Sequence, residues 1–174
     1  MSKRNTRSAV VLCALALAAA PLSAAHADAA KDVQIAGRAL TFLENGPTGK
    51  AVLGVVFDPS KPASVAEKNA VMAAIGGGLS AGAVTLTAKP VEASAVSGVS
   101  GVAALYITTG VNVGSAAKAK KLITIGSDPS CATSGACVMS VSADPKVEII
   151  VNRAAAAAVG AVFKAAFRMM IREV

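Results

Sequence analysis

Cys131 and Cys137 are the two residues of this sequence whose type and spacing could carry chemistry. Five residues separate them, which excludes the Cys-x-x-Cys redox motif, and zinc would need further ligands that the surrounding sequence lacks. In a chain that is exported, as argued below, an even number of cysteines predicts a disulfide bond. Such a bridge is either a purely structural disulfide or, where its loop is exposed, a redox-sensitive disulfide that can be opened by reduction. The sequence leaves both interpretations open.

The sequence lacks the other common motifs of catalytic chemistry. The run Gly76–Gly78 follows a predicted helix and lacks the Gly-Lys-Ser/Thr ending of a phosphate loop, so it predicts a helix stop. Ser100 has no histidine to activate it, because the only histidine, His26, lies in the N-terminal segment. The carboxylates are scattered along the chain. We therefore expect no enzymatic activity, no cofactor and no metal site.

A row of cations recurs at four-residue spacing near the end of the chain, at Lys164, Arg168 and Arg172. On a helix this spacing places the three side chains on one face. Such a row is either a solvated surface or a contact surface for an acidic partner or anionic lipid headgroups. We take it as the candidate partner surface. The neighbouring Met169 and Met170 are expected in the core.

The N-terminal segment has the three parts of a secretory signal peptide. A basic start precedes the apolar stretch 9–20 and then Ala25-His26-Ala27, which has the small-residue pattern of a cleavage site. The apolar stretch is shorter than the ~20 residues that span a bilayer. We predict cleavage after Ala27, so that residues 1–27 are removed and the mature chain 28–174 does not span a membrane. An uncleaved membrane anchor is the alternative.

Cleavage also changes the charge of the protein. It removes Lys3, Arg4 and Arg7 with no acidic residue, so the formal net charge falls from +7 to +4. The chain has no tryptophan, and Tyr106 is its one tyrosine. Nucleic-acid binding needs clustered cations or stacking aromatic side chains, so we expect no nucleic-acid partner. The remaining length suits one domain.

Strand and helix patterns alternate along the rest of the chain. Helices are predicted at 29–45, 64–75, 114–120 and 152–174. Strands are predicted at 51–57, 83–88, 102–108, 122–125, 138–141 and 147–151. Ser64 and Glu67 have the spacing of a capping box, and the last two strands have that of a hairpin. The pattern predicts an α/β fold, a single-domain sandwich with a mixed β-sheet flanked by helices and a long C-terminal helix.

The last third of the chain resembles the YfiR family of exported bacterial proteins. The stretches that carry the resemblance are Leu122–Asp128, the Cys131–Cys137 loop, Val147–Asn152 and the terminal helix 154–174. Upstream, the family's opening helix and next strands are matched by Leu40–Leu43 before Pro47, Val52–Phe57 before Asp58-Pro59, and Leu105–Ile107. The chain departs from the family in two ways. Gly46 stands where a tryptophan is common, and the second disulfide is missing.

The resemblance implies a periplasmic regulatory protein, residues 28–174, that represses an inner-membrane diguanylate cyclase by binding its periplasmic portion. It also implies a local bridge between Cys131 and Cys137. In the family, reduction of disulfides is linked to folding state and to release of the repression. The alternative is a periplasmic domain that binds a small ligand at the strand ends of its sheet. The sequence leaves the contact surface and a homodimer open.

Overall fold

The computed structural model describes residues 22–174, with side chains from residue 29 onward. Most of the predicted signal peptide, residues 1–27, lies outside this range, so the peptide stays a prediction. A 3-10 helix spans Ala93–Gly98. The α-helices are α1 Leu22–Leu40, α2 Pro62–Ile75, α3 Gly114–Ala119, α4 Pro129–Thr133, α5 Arg153–Val159 and α6 Ala165–Arg168.

The strands of the described part form one mixed sheet in the order β2-β3-β1-β4-β5-β6-β7-β8. They are β1 Gly49–Phe57, β2 Leu79–Ala81, β3 Val84–Glu92, β4 Ala104–Ile107, β5 Thr124–Gly126, β6 Met139–Ser142, β7 Glu148–Val151 and β8 Arg172–Glu173. Strands β3, β1, β4, β5 and β6 are parallel, whereas β2 and β7 run antiparallel to β3 and β6. The predicted α/β class, the mixed sheet and the hairpin are confirmed.

The direction in which the chain crosses the sheet reverses between β1 and β4. From β1 the chain moves outward to β3, then returns past β1 to β4 and continues to β5 and β6. In doubly wound folds, such a reversal opens a crevice beyond the carboxyl ends of the strands. We call the side of the sheet at Phe57, Ile107 and Gly126, where β1, β4 and β5 end, the carboxyl edge. The opposite side is the amino edge.

A hydrophobic core lies on each face of the sheet. Along β1, Val55 faces the core shared with α1 and α2, and the next residue, Val56, faces the core shared with the 3-10 helix and α3. Strand β4 alternates in the same way, with Tyr106 on the first face and Leu105 on the second. Both valines are fully buried, which stabilises the fold by about 1.5–3 kcal/mol for each side chain. The valine-rich run 51–57 is therefore a central strand, as predicted.

The predicted long C-terminal helix is wrong. Helix α5 ends at Val159 because Gly160 adopts a left-handed conformation with φ 74°, and the chain then folds back. Short helix α6 and strand β8 follow in place of a continuous helix. The apolar side chains whose spacing predicted the helix are still buried: Phe163 packs on Phe167, and Phe167 stacks on Phe42 beyond the end of α1.

The end of α1 is tied to this C-terminal segment. The helix ends at Leu40 and not near Asn45 as predicted, because the next residues pair with the returning chain. Glu44 N–H donates to the Val162 carbonyl at 2.9 Å, and Lys164 N–H donates to the Phe42 carbonyl at 2.9 Å. These bonds replace the helical ones that the backbone would otherwise make.

Candidate functional site

Three strands that end at the carboxyl edge are each followed by polar residues. These are Asp58 after β1, Thr108 and Thr109 after β4, and Ser127 and Asp128 after β5. Because parallel strands place their carboxyl ends side by side, the three loops meet at the point where the chain direction reverses.

Asp58 shapes the first of these loops. Its Oδ1 accepts hydrogen bonds from Ser60 Oγ at 2.7 Å and from Ser60 N–H at 3.0 Å. These bonds, with a smaller contribution from the charge of Lys61, lower the pKa of Asp58 below its usual value. Lys61 Nζ also donates to the Gly110 carbonyl at 2.6 Å. The first loop is therefore fixed to the loop after β4.

Ser64 and Thr108 connect helix α2 to the sheet through buried hydrogen bonds. Ser64 Oγ accepts from Asp58 N–H at 2.9 Å and lies 2.6 Å from Thr108 Oγ1, which donates to the Val56 carbonyl at 2.8 Å. The predicted capping box is wrong, because α2 begins at Pro62 and Lys61 takes the N-cap position. Proline suits the first turn of a helix, where its missing N–H costs no bond.

The Glu67 carboxylate connects the loops of the carboxyl edge through hydrogen bonds. Its Oε1 accepts from Ser127 Oγ at 2.7 Å and from Tyr106 Oη at 3.0 Å. Its Oε2 accepts from Thr109 N–H and from Thr109 Oγ1, each at 2.6 Å. An ionised carboxylate is an acceptor only, so four donors suit it well. Glu67 thereby holds the loops after β4 and β5 against α2.

Tyr106 is kept neutral in this network. Burial raises the pKa of its hydroxyl, and the negative charge of Glu67 raises that pKa further. The hydroxyl is therefore protonated at physiological pH and donates to Glu67. The Tyr106 hydroxyl therefore helps to position the loops.

Two clefts open on either side of Thr109 and Ser127, which line both. The first, here called the serine–threonine cleft, has a volume of about 260 Å³ and lies between the loops after β4 and β5 and helix α4. Its polar lining consists of Thr108, Thr109, Asn112, Ser127, Asp128, Ser130 and Ser134. The second, of about 350 Å³, lies beneath α1 and α2 and is lined by Ala29, Asp32, Ala66, Glu67, Ala70 and Tyr106.

The predicted disulfide between Cys131 and Cys137 is present and borders the serine–threonine cleft. Asp128 begins α4 by accepting a hydrogen bond from Ser130 N–H at 2.8 Å, which directs Cys131 toward the end of β5. Gly126 gives the bridge room, since a Cβ there would lie 3.4 Å from Cys137 Sγ. The bridge thus supports one wall of the cleft.

The three cations of the candidate partner surface do not lie on one helix face. Lys164 precedes α6 and its Nζ lies 3.4 Å from the Thr41 carbonyl. Arg168 forms a two-point ion pair with Glu173, with Nε–Oε1 2.7 Å and Nη2–Oε2 3.1 Å. Arg172 lies in β8, with its Nε 3.4 Å from a carboxylate oxygen of Glu148. The predicted helical row is therefore wrong, although all three cations are exposed.

Sequence reasoning missed the carboxyl-edge site. The spacing of Ser64 and Glu67 predicts a helix cap, and Gly126–Ser130 predicts an ordinary turn. The available signal is that hydroxyl and acidic residues, Thr108-Thr109 and Ser127-Asp128, stand at or just beyond the ends of two predicted strands. Within residues 29–174, no group of three or more His, Cys, Asp or Glu side chains is arranged to hold a metal ion. Among the described residues, none of the helices combines the length and the hydrophobicity that spanning a bilayer requires.

No protein-family model and no curated protein matches this chain. Several solved structures share its fold, among them the following two. The ABC domain from Streptococcus pneumonia in complex with L-Trp has a TM-score of 0.59 at 14% identity, over 84% of this chain and 62% of that one. A conserved domain protein from Vibrio cholerae has a TM-score of 0.56 at 13% identity, over 83% of this chain and 59% of that one. The chain thus spans about six tenths of each, and at these identities the likeness establishes the α/β fold.

Proposed function

We propose that this protein is a non-catalytic binding domain that holds a small polar molecule in the serine–threonine cleft. The observation that carries the proposal is the convergence of polar side chains on a crevice at the point where strand order reverses, which is where open α/β sheets bind ligands. The similar domain from Streptococcus pneumonia was crystallised with L-Trp. That likeness supports a ligand of amino-acid size by analogy of fold.

The polar groups of the cleft point to a zwitterionic ligand. Asp128 uses Oδ1 to begin α4, and its Oδ2 accepts no hydrogen bond from the described residues. Asn112 uses its Oδ1 for Gly114 N–H, which leaves its amide nitrogen as a donor, and the Ser130 hydroxyl is likewise unpaired in the described part. An ammonium group suits Asp128, and a carboxylate suits Asn112 and Ser130. Neither Lys nor Arg lines this cleft among the described residues, so a phosphate is disfavoured.

Calorimetric titration of the protein with a panel of free amino acids tests this proposal. Asp128→Asn is the informative variant, because asparagine also begins helices well and removes only the charge. We expect Asp128→Asn to weaken binding about tenfold or more, as loss of a charge-assisted hydrogen bond predicts. Asp144→Asn, in the hairpin outside the cleft, is the matched control. Binding that both variants leave unchanged, or no binding by any member of the panel, would count against the proposal.

We propose a second function from the resemblance to the YfiR family, namely export to the periplasm and repression of a membrane-bound diguanylate cyclase. One observation favours it. The loop between Cys131 and Cys137 is closed by the bridge that the resemblance implies. Capture of membrane proteins from detergent extracts on the tagged protein, with and without a reductant, tests this function. Recovery of a diguanylate cyclase supports it, and recovery lost on reduction adds a role for the bridge. Failure to recover one in either condition contradicts it.

A further inference from the structure

Carboxylates predominate at the carboxyl edge of the sheet, and cations predominate at the amino edge. Carboxylates of the carboxyl edge are Asp58, Glu67, Glu92, Asp128 and Asp144, which follow or contact the strand ends there. Cations of the amino edge are Lys50, Lys121, Arg153, Lys164 and Arg168. Their positions follow from the topology, because they lie at the start of parallel strands, after the antiparallel β7, or beside the end of α1. Two carboxylates also lie there, Glu44 next to Val162 and Glu173 in an ion pair with Arg168. The cations outnumber them, so the amino edge carries a net positive charge.

Exposed apolar side chains lie in the same chain segment as two of these cations, Lys164 and Arg168. In the C-terminal segment 160–171, Met169 is 89% exposed, Met170 is 62% exposed and Val162 is 60% exposed. The prediction that both methionines belong to the core is wrong. Val162 lines two surface clefts, one together with Arg153, Arg168 and Glu173 and the other together with Glu44 and Lys121. Large exposed apolar side chains grouped in this way mark interaction surfaces.

The segment that carries these side chains is held firmly in place. Phe163 and Phe167 are buried and contact each other with ring centroids 5.2 Å apart, and Phe167 stacks on Phe42 at 5.0 Å. The Arg168–Glu173 ion pair joins the segment to β8. The exposed methionines and Val162 are therefore presented by an anchored segment and not by a loose tail.

We propose that the amino edge and segment 160–171 form a surface that binds an anionic lipid bilayer. Val162, Met169 and Met170 would enter the headgroup region, and the surrounding cations would lie near lipid phosphates. Exposed apolar side chains combined with Lys and Arg are typical of surfaces that rest in a membrane interface. The net positive charge of this surface complements the negative charge of an anionic bilayer, whereas a second copy of the same positive surface would be repelled. In this orientation the serine–threonine cleft, at the opposite edge, faces away from the bilayer.

Co-sedimentation of the full chain with lipid vesicles tests the proposal. The two vesicle types contain phosphatidylcholine alone or an equimolar mixture with phosphatidylglycerol. The apolar N-terminal stretch is common to all variants, so differences between variants report on the amino edge. We expect tighter binding to the anionic vesicles and a marked decrease in binding as salt is raised.

Matched variants locate the surface. Each cation near an anionic surface strengthens binding by about fivefold, so Arg153→Gln with Lys164→Gln should weaken it about 25-fold. Removal of two cations at the carboxyl edge, Lys31→Gln with Lys146→Gln, is the control and should change binding by less than about twofold.

The apolar contribution is tested separately. Met169→Ser should weaken binding, whereas Val147→Ser, at a residue that is 60% exposed in the hairpin at the other edge, should not. Both positions are on the surface, where substitutions rarely alter stability. Equal binding to the two vesicle types, or insensitivity to the amino-edge variants, would overturn the proposal. Binding to native membranes that is lost after their proteins are digested would instead identify a protein partner, and would also overturn it.

Discussion

At the scale of single residues, Glu67 shows how one carboxylate organises a site. Each of its two carboxylate oxygens accepts two hydrogen bonds from residues at the ends of β4 and β5. The loops on both sides of the serine–threonine cleft therefore depend on one side chain of α2. A sequence pattern cannot reveal this role, because the donors lie about 40 to 60 residues away along the chain. The spacing from Ser64 to Glu67 favoured a helix cap instead.

Glu67→Gln should lower the free energy of unfolding by about 1–3 kcal/mol. Its amide nitrogen would face groups that are themselves donors, so at least one of these hydrogen bonds, two of which are partly buried, would be lost. Urea denaturation measures the effect. Glu92→Gln is the control, since Glu92 makes no side-chain hydrogen bond at the start of the 3-10 helix. Equal stability of the two variants would show that the four contacts of Glu67 contribute little.

Glu173 gives a prediction for pH. A hydrogen bond from Arg168, with the charge of Arg168 as a smaller cause, lowers the pKa of Glu173 below its usual value. A carboxyl group with a lowered folded-state pKa stabilises the fold above its unfolded pKa and loses that contribution as pH falls through the folded pKa. NMR titration should find the pKa of Glu173 raised by Arg168→Gln. An unchanged pKa would mean that the pair is not formed in solution.

At the scale of elements, the C-terminal region shows how one glycine can end a helix and let the chain reverse its direction. The apolar spacing after Asn152 predicts a helix through the end of the chain, and Asn152 does begin α5 by accepting from Ala155 N–H at 2.8 Å. The spacing of Phe163 and Phe167 suits their burial both in a continuous helix and in a chain that reverses after Gly160. Gly160, the residue that can adopt a positive φ without strain, decides between them.

Gly160→Ala should destabilise the protein by about 1–2 kcal/mol, the cost of a left-handed conformation for a residue with a Cβ. No atom lies within 4 Å of a Cβ built at this position, so the effect would come from the backbone alone. Gly98→Ala is the matched control, because its site is equally open and its φ is not positive. Thermal or urea unfolding of both variants checks the difference. A neutral Gly160→Ala would mean that the segment tolerates another path.

At the scale of the whole molecule, the sequence predicts more of the fold than of the site. The buried strands, the hairpin and the disulfide follow from local patterns, such as the valine run 51–57 and the spacing of Cys131 and Cys137. The site depends on strand order, which places β4 between β1 and β5 and so joins loops that are distant in sequence. The same is true of the exposed Met169, since its environment is set by how the last segment packs against α1.

Phe167→Ala should destabilise the whole protein by about 3–5 kcal/mol, as expected for loss of a buried aromatic side chain. Phe167 is 2% exposed and shares the core of α1 and β1, so the loss would reach beyond the C-terminal segment. Met170→Ala, three residues away and 62% exposed, should be nearly neutral. Denaturation followed by both fluorescence and circular dichroism checks these values. Unfolding of the segment alone, ahead of the sheet, would contradict a shared core.

The contact between the end of α1 and the returning chain also has a consequence for the order of events during folding. Lys164 and Thr41 meet across a separation of 123 residues, and the aromatic cluster beside them spans a similar length. Contacts so distant along the chain form late and slow the search for the native state. During synthesis, the first core must wait for Phe163 and Phe167 to leave the ribosome. A nascent chain of this protein therefore stays incompletely folded until Phe163 and Phe167 have emerged.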